Sequence, residues 1–186
     1  MKFHKTPLEG AYVIELTKFE DHRGFLARFF CERTFAQAGL ETRFVQINNS
    51  TSVRRGTVRG MHWQAPPHGE VKVIRALRGS IFNVCIDLRK GSPTFGEWFG
   101  TELDDTNRLM MYTPKGFAHG CLSLTDNIEI LYMTSAFYAP AAERGLRPDD
   151  PRVGIAWPIP ITEISDKDRA WPDLDPALHA MAVEDA

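Results

Sequence analysis

The sequence predicts an all-β protein, an antiparallel barrel or sandwich with short helices only near its ends. Short runs of branched and aromatic residues recur along the chain, and Gly and Pro interrupt them at close intervals. That spacing leaves little room for helices between strands. The strand-like runs are Tyr12 to Leu16, Phe44 to Asn48, Val71 to Leu77, Ile81 to Leu88 and Ile128 to Met133. Arg78-Gly79-Ser80 reads as a hairpin turn between two of them, and Gly91-Ser92-Pro93 closes the following strand. One helix is expected over Glu32 to Ala38, with Gly39 as its left-handed stop. A second begins at Ser165, where Ser165-Asp166-Lys167-Asp168 has the form of a capping box, and Pro172 ends it early.

At 186 residues the chain fits a single domain over 1–186, with a core of about 10–172 and a polar, Ala-rich tail, 173–186, prone to fraying. Twenty-two basic residues against 24 acidic ones give no field for general nucleic-acid binding, although a local basic pocket is allowed. No apolar run reaches the roughly 18 residues of a membrane span, and the residues after Met1 lead into no signal-peptide core. A cytoplasmic location without membrane contact is the expectation. Cys31, Cys85 and Cys121 are an odd number without metal-type spacing, and they read as small buried apolar residues.

Three segments could carry chemistry. In Arg59-Gly60-Met61-His62-Trp63-Gln64, strict alternation puts Gly60, His62 and Gln64 on one face and Arg59, Met61 and Trp63 on the other. A His and a Gln beside a glycine suit the wall of a wet cavity better than an apolar core, although a hydrogen-bonded core histidine would look the same. Lys72 shares a face with Ile74 and Ala76, so its ammonium either snorkels to the rim or meets an anion inside a barrel. A phosphate or a developing enolate would supply that anion. In Thr113-Pro114-Lys115-Gly116-Phe117-Ala118-His119-Gly120 a turn precedes a strand and sets His119 just inside it. Tyr132, on the face of Ile128 and Ile130, and Asp168, third in its helix, also fit plain structural roles.

A metal site is not expected. Barrel metal sites usually take two histidines at i and i+2 with a carboxylate nearby, and here the residue two after His62 is Gln64, a poor ligand.

Taken together, these segments resemble the dTDP-4-dehydrorhamnose 3,5-epimerase family, a branch of the cupins. The resemblance spans about Gly10 to Pro172. Its pieces include Asp21-His22-Arg23-Gly24-Phe25, Arg59-Gly60-Met61-His62, Ser92-Pro93-Thr94-Phe95-Gly96, Pro114-Lys115-Gly116-Phe117-Ala118-His119-Gly120 and Ser165-Asp166-Lys167-Asp168. It implies a double-stranded β-helix, or jelly roll, a homodimer, and no metal or redox cofactor. It also implies inversion of C3, C5 or both in a nucleotide diphosphate-linked 4-keto-6-deoxyhexose, through an enolate. By resemblance His62 is the base, oriented by Asp168. Lys72 stabilises the oxyanion on O4 and binds substrate, and Tyr132 delivers a proton from the far side. Arg23, Gln46, Asn48, Arg59, His119, Glu143 and Lys167 match positions that line the sugar and diphosphate site, and Tyr138 matches one that stacks on the base.

Three positions depart from the family pattern. Arg28 stands where a glutamate near the nucleotide is usual, Ile47 replaces an aspartate, and Asn49 replaces a histidine. An arginine facing the base edge donates only, which favours cytosine or guanine over thymine, whereas an Arg28 turned to solvent or paired with a nearby acid would not read the base. The alternatives to a dTDP-sugar epimerase are therefore the same chemistry on a CDP- or GDP-linked sugar, a sugar-nucleotide-binding cupin without catalysis, and a metal-dependent cupin oxygenase. The geometry offers one further test. Alternation separates Arg59 from His62, so a shared substrate requires a bulge or twist at Gly60.

Overall fold

The structure, a computed structural model, describes residues 1–182. In chain order its strands are β1 (Lys2–Lys5), β2 (Tyr12–Glu15), β3 (Lys18–Asp21), β4 (Gly24–Ala27), β5 (Gln46–Ser52), β6 (Val58–Gln64) and β7 (Lys72–Arg78). They continue as β8 (Ser80–Asp87), β9 (Trp98–Asp104), β10 (Met110–Thr113), β11 (Phe117–Ser123), β12 (Ile128–Thr134) and β13 (Glu143–Gly145). The helices α1 (Glu32–Gln37), α2 (Asp166–Arg169) and α3 (Pro176–His179) are short and peripheral.

One sheet has the order β1-β2-β10-β7-β12-β5 and the other β13-β6-β11-β8-β9, while β3 and β4 pair with each other alone. Strands β5 to β12 thus split into two facing sets of four, the strand order of a jelly roll. Ala76 and Ile130 from one sheet meet Ile81, Cys85, Leu103 and Cys121 from the other, and this layer glues the sheets together. Two more apolar layers cover the outer faces. Phe35 of α1 sits over Val73, Met110 and Met133, and Leu146, Val153, Leu174 and Met181 sit over Met61, Val84 and Ile86. With both outer faces covered, the polar residues that point inward share the space between the sheets.

Most of the expected elements form, with instructive differences. Arg78-Gly79-Ser80 does not close a hairpin, because β7 and β8 belong to different sheets. Gly79, at φ +70, instead turns the chain through a barrel corner, where an added Cβ would stand 2.4 Å from Thr125 Oγ1. The strand expected over Phe44 to Asn48 runs from Gln46 to Ser52. Phe44 packs against Phe30 and Phe35 outside the barrel, while Asn49 and Ser50, residues that do not favour strands, are held by pairing with β12. The tail is not frayed through residue 182: Leu174 and Met181 are buried, and Met181 N–H donates to Leu88 O at 2.8 Å. Residues 183–186 of the expected tail lie outside the described residues. Cys85 and Cys121 are buried as expected, whereas Cys31 is half-buried at the start of α1.

Candidate active site

The site begins with a bulge on β6. His62 pairs with His119 of β11, but Arg59 pairs with Cys121, so β6 carries one residue more than its partner over this interval. Gly60 occupies the bulge at φ +122, and a Cβ there would lie 2.6 Å from Gly120 Cα and 2.8 Å from His119 O. No other residue fits. The bulge swings Arg59 round to the cavity wall that His62 also lines, as a shared substrate requires. Arg59 is held there by Nε donating to Ser52 Oγ at 3.0 Å and Nη2 donating to Thr51 O at 2.9 Å.

The same bulge helps to set a histidine–carboxylate pair. Gly60 N–H donates to Asp168 Oδ2 at 3.2 Å, and His62 Nε2 lies 2.5 Å from Asp168 Oδ1. Ser165 caps α2 by accepting from Asp168 N–H at 3.0 Å, as the sequence suggests. The reciprocal half of a capping box is absent among the described residues, because the carboxylate is turned to β6 instead. Asp168 is buried. Desolvation would raise its pKa, yet the hydrogen bond and charge of His62, with the Gly60 and Ser165 contacts, hold it below the ordinary carboxyl value. Among the described residues His62 Nδ1 has no hydrogen-bond partner, so the dyad leaves it open to a ligand.

The facing sheet supplies the other groups. Tyr132 of β12 pairs with Ile74 of β7, and Lys72 starts that same strand. Burial, and then the Glu70 carboxylate, push the Tyr132 phenol above its usual pKa, so it stays a proton donor at neutral pH. Lys72 does point inward, and its resident anion is a residue of the protein: Glu70 Oε1 lies 2.7 Å from Nζ, with both side chains largely buried.

Two cavities, of about 850 Å³ and 370 Å³, meet at His62, Lys72 and Tyr132. Arg59, His119, Lys167 and Asp168 line the larger; Gln46, Asn48, Glu70 and Tyr138 line the smaller. At the rim, Lys167 Nζ donates to Glu143 Oε1 at 2.5 Å and Tyr138 Oη donates to Glu143 Oε2 at 2.9 Å. Although partial desolvation opposes it, Lys167 holds the Glu143 pKa down. Gln46 Oε1 accepts from Tyr138 N–H at 2.6 Å and so fixes the rim loop. Gln64 lines the smaller cavity, as the sequence suggests, and it is also a pin. It is buried, its Nε2 donates to His68 O and Phe137 O, and its Oε1 accepts from Ala139 N–H. With both ends of the amide committed to backbone groups, the position two after His62 offers no ligand for a metal.

Two expected binding residues stand apart. Arg23, on the turn between β3 and β4, pairs with Asp21 at 2.5 Å and lines neither cavity; Arg28, just beyond β4, is exposed and lines neither. Sequence reasoning passed over Glu70 and over Asn83, whose Oδ1 lies 2.8 Å from His119 Nε2. A lone acid two residues before Lys72 was the one available signal for Glu70. For Asn83, inside an apolar strand, the polarity of the residue was the signal.

Groups able to take and give a proton from opposite walls of one cavity define the class, a cupin barrel equipped for acid–base work at carbon. The family model for dTDP-4-dehydrorhamnose 3,5-epimerase matches residues 5–176, and the chain belongs to that family. It is 46% identical over 177 residues to the dTDP-4-dehydrorhamnose 3,5-epimerase of Methanothermobacter thermautotrophicus, covering 93% of this chain and 94% of the relative. A dTDP-4-dehydrorhamnose 3-epimerase of Streptomyces niveus is 38% identical, covering 91% of this chain and 82% of that protein. Among solved structures, the dTDP-6-deoxy-D-glucose-3,5-epimerase of Legionella pneumophila in complex with dTDP-4-keto-L-rhamnose superposes with a TM-score of 0.90 at 32% identity, covering 98% of this chain and 99% of that one.

Proposed function

We propose that this chain inverts C3 and C5 of a nucleotide-linked 4-keto-6-deoxyhexose, converting dTDP-4-dehydro-6-deoxyglucose to dTDP-4-dehydrorhamnose. The observation that carries this reading is His62 on one sheet, backed by Asp168 of α2, and Tyr132 with Lys72 on the other, around one cavity. Inversion needs a proton to leave one face of a carbon and another to reach the opposite face. The C4 ketone itself acidifies the neighbouring C–H bonds, so neither metal nor redox cofactor takes part. His62 Nδ1 takes the proton, the electron pair passes into the enolate, and Lys72 stabilises the charge on O4. Tyr132 then gives its proton to the far face. The enolate's electrons form the new C–H bond, and solvent afterwards removes the proton from His62 and returns one to Tyr132.

Arg59 and Lys167 suit the diphosphate, and Tyr138 suits the base as a stacking partner. Gln46, Asn48, His119 and Glu143 complete the contacts. Arg23 and Arg28 join the site if a second copy brings its β3–β4 hairpin to it. The exposed Phe19 (66%), Phe25 (42%) and Leu26 (73%) on that hairpin support such a homodimer. The same reading makes 1–186 one catalytic domain working in the cytoplasm. Among the described residues no helix is long and apolar enough to cross a membrane.

The test is incubation in D2O with dTDP-, CDP- and GDP-4-keto-6-deoxyglucose, followed by placement of deuterium in the sugar. Deuterium at C3 and C5 of the dTDP sugar is expected. Label at C3 alone would narrow the activity to a 3-epimerase, and preference for another carrier would move the nucleotide assignment to Arg28, which Arg28→Glu would then reverse. No carbon-bound deuterium with any carrier refutes the reading.

A further inference from the structure

His62 and His119 are cross-strand partners, yet their other hydrogen bonds differ in kind. His62 meets a carboxylate, whereas His119 Nε2 meets the amide oxygen of Asn83 at 2.8 Å. Asn83 is fully buried on β8, and its Nδ2 lies 2.7 Å from Met111 Sδ. A thioether sulfur cannot donate, so the NH2 end of the amide belongs on the Met111 side and the oxygen on the His119 side. An amide oxygen can only accept. His119 therefore carries its hydrogen on Nε2, and the Nδ1 of the neutral ring holds a lone pair.

Among the described residues that nitrogen has no protein hydrogen-bond partner, while the ring borders the larger cavity. Around it stand Lys72 of β7, Arg59 and His62 of β6, Tyr132 of β12, Cys121 of its own strand and Cys85 of β8. Desolvation first, then the charges of Lys72 and His62, hold the His119 pKa well below the ordinary imidazole value. The Asn83 amide is neutral, and of the carboxylates lining the same cavity Asp168 is bonded to His62 and Glu163 to Thr57, so among the described residues no carboxylate is hydrogen-bonded to His119.

We propose that Asn83 is a positioning residue that fixes His119 as a neutral Nε2–H imidazole, whose Nδ1 accepts a hydrogen bond from a sugar hydroxyl and takes no proton from carbon. The sugar as ligand rests on the proposed function; the state of the ring does not. The neighbouring histidines then have separate duties, proton transfer for His62 and substrate reading for His119. A site built to accept from a hydroxyl discriminates strongly against an analogue that lacks the donor.

The experiment is long-range 1H–15N correlation on protein labelled with 15N in histidine, followed from about pH 5.5 to 9 around the free-imidazole pKa of about 6.5. His119 is assigned by its loss in His119→Gln. It should remain the Nε2–H tautomer across the range. An Nδ1–H tautomer, or an ordinary imidazole titration, overturns the proposal whether or not the protein turns over a sugar. Conversely, absent exchange at C3 and C5 would refute the epimerase reading and leave the tautomer assignment standing. Asn83→Asp supplies the second arm. A carboxylate there should let His119 protonate and lose its acceptor, so kcat/KM at about pH 6 should fall roughly tenfold relative to about pH 8.5, beyond the wild-type change. The same pH dependence as wild type in a folded variant with a protonated His119 would overturn the hydroxyl-reading role.

Discussion

His62 and His119 stand side by side on β6 and β11, face the same cavity, and differ in what lies behind them. Behind His62 is a carboxylate carried in from α2, 106 residues along the chain. Behind His119 is a neutral amide on the adjacent strand β8. The first partner is an anion that orients its histidine by a hydrogen bond, and the second is a neutral amide whose oxygen can only accept. On the proposed roles, one residue type performs two chemical tasks because its partner differs, and a role read from residue type alone would treat the two histidines as interchangeable.

The largest break in that comparison should come from His62→Ala. Loss of the base is expected to lower exchange at C3 by about 10³-fold or more, with the thermal midpoint little changed because the side chain lines a cavity. Near wild-type exchange in a folded variant would remove His62 from its role. Asp168→Asn should follow, at about 10²-fold in kcat, because the amide imitates the Asn83 arrangement behind the wrong histidine. Its pH signature has a definite sign. The folded-state pKa of Asp168 is depressed, so its contribution to stability is present above the ordinary carboxyl pKa of about 3.9 and is lost as pH falls through the lower folded value. In acid titrations the variant should lack that component, and an unaltered acid limb would show that the dyad adds nothing to the fold.

Glu70→Gln should have the smallest effect, about fivefold to tenfold in kcat with KM less affected, because the carboxylate acts through Lys72. A double-mutant cycle sharpens this. Removing Glu70 in a Lys72→Met background should cost no further activity, and additive losses would assign Glu70 a separate role.

Much of this was legible in the sequence, for particular reasons. The run through Arg59 and His62 announced a strand with a polar inner face, and the conflict between alternation and a shared substrate pointed to a bulge at Gly60. Ser165-Asp166-Lys167-Asp168 announced a helix start, but not that the Asp168 carboxylate would turn to β6, because that choice depends on a contact 106 residues away. The turn at Gly79 was misread since a barrel corner and a hairpin use the same residues, and sheet membership decides between them. Docking of the tail also stayed hidden. Leu174 and Met181 are isolated apolar residues in a polar stretch, and only the outer face of the five-stranded sheet gives them a place to go. Arg23 and Arg28 were expected in the site and lie on or beside the hairpin outside it, because sequence order does not say where an isolated hairpin packs.

The central claim, that base and acid act from opposite walls, is tested most directly by Tyr132→Phe in D2O. The measurement is the ratio of deuterium entering C3 without inversion to deuterium found in inverted product. With His62 and Asp168 intact, the proton is still removed and can return from the same side, so exchange with retention should exceed inversion and the ratio should rise well above wild type. If exchange and inversion fall together with the ratio unchanged, Tyr132 is not the far-side acid and the two-wall account is wrong.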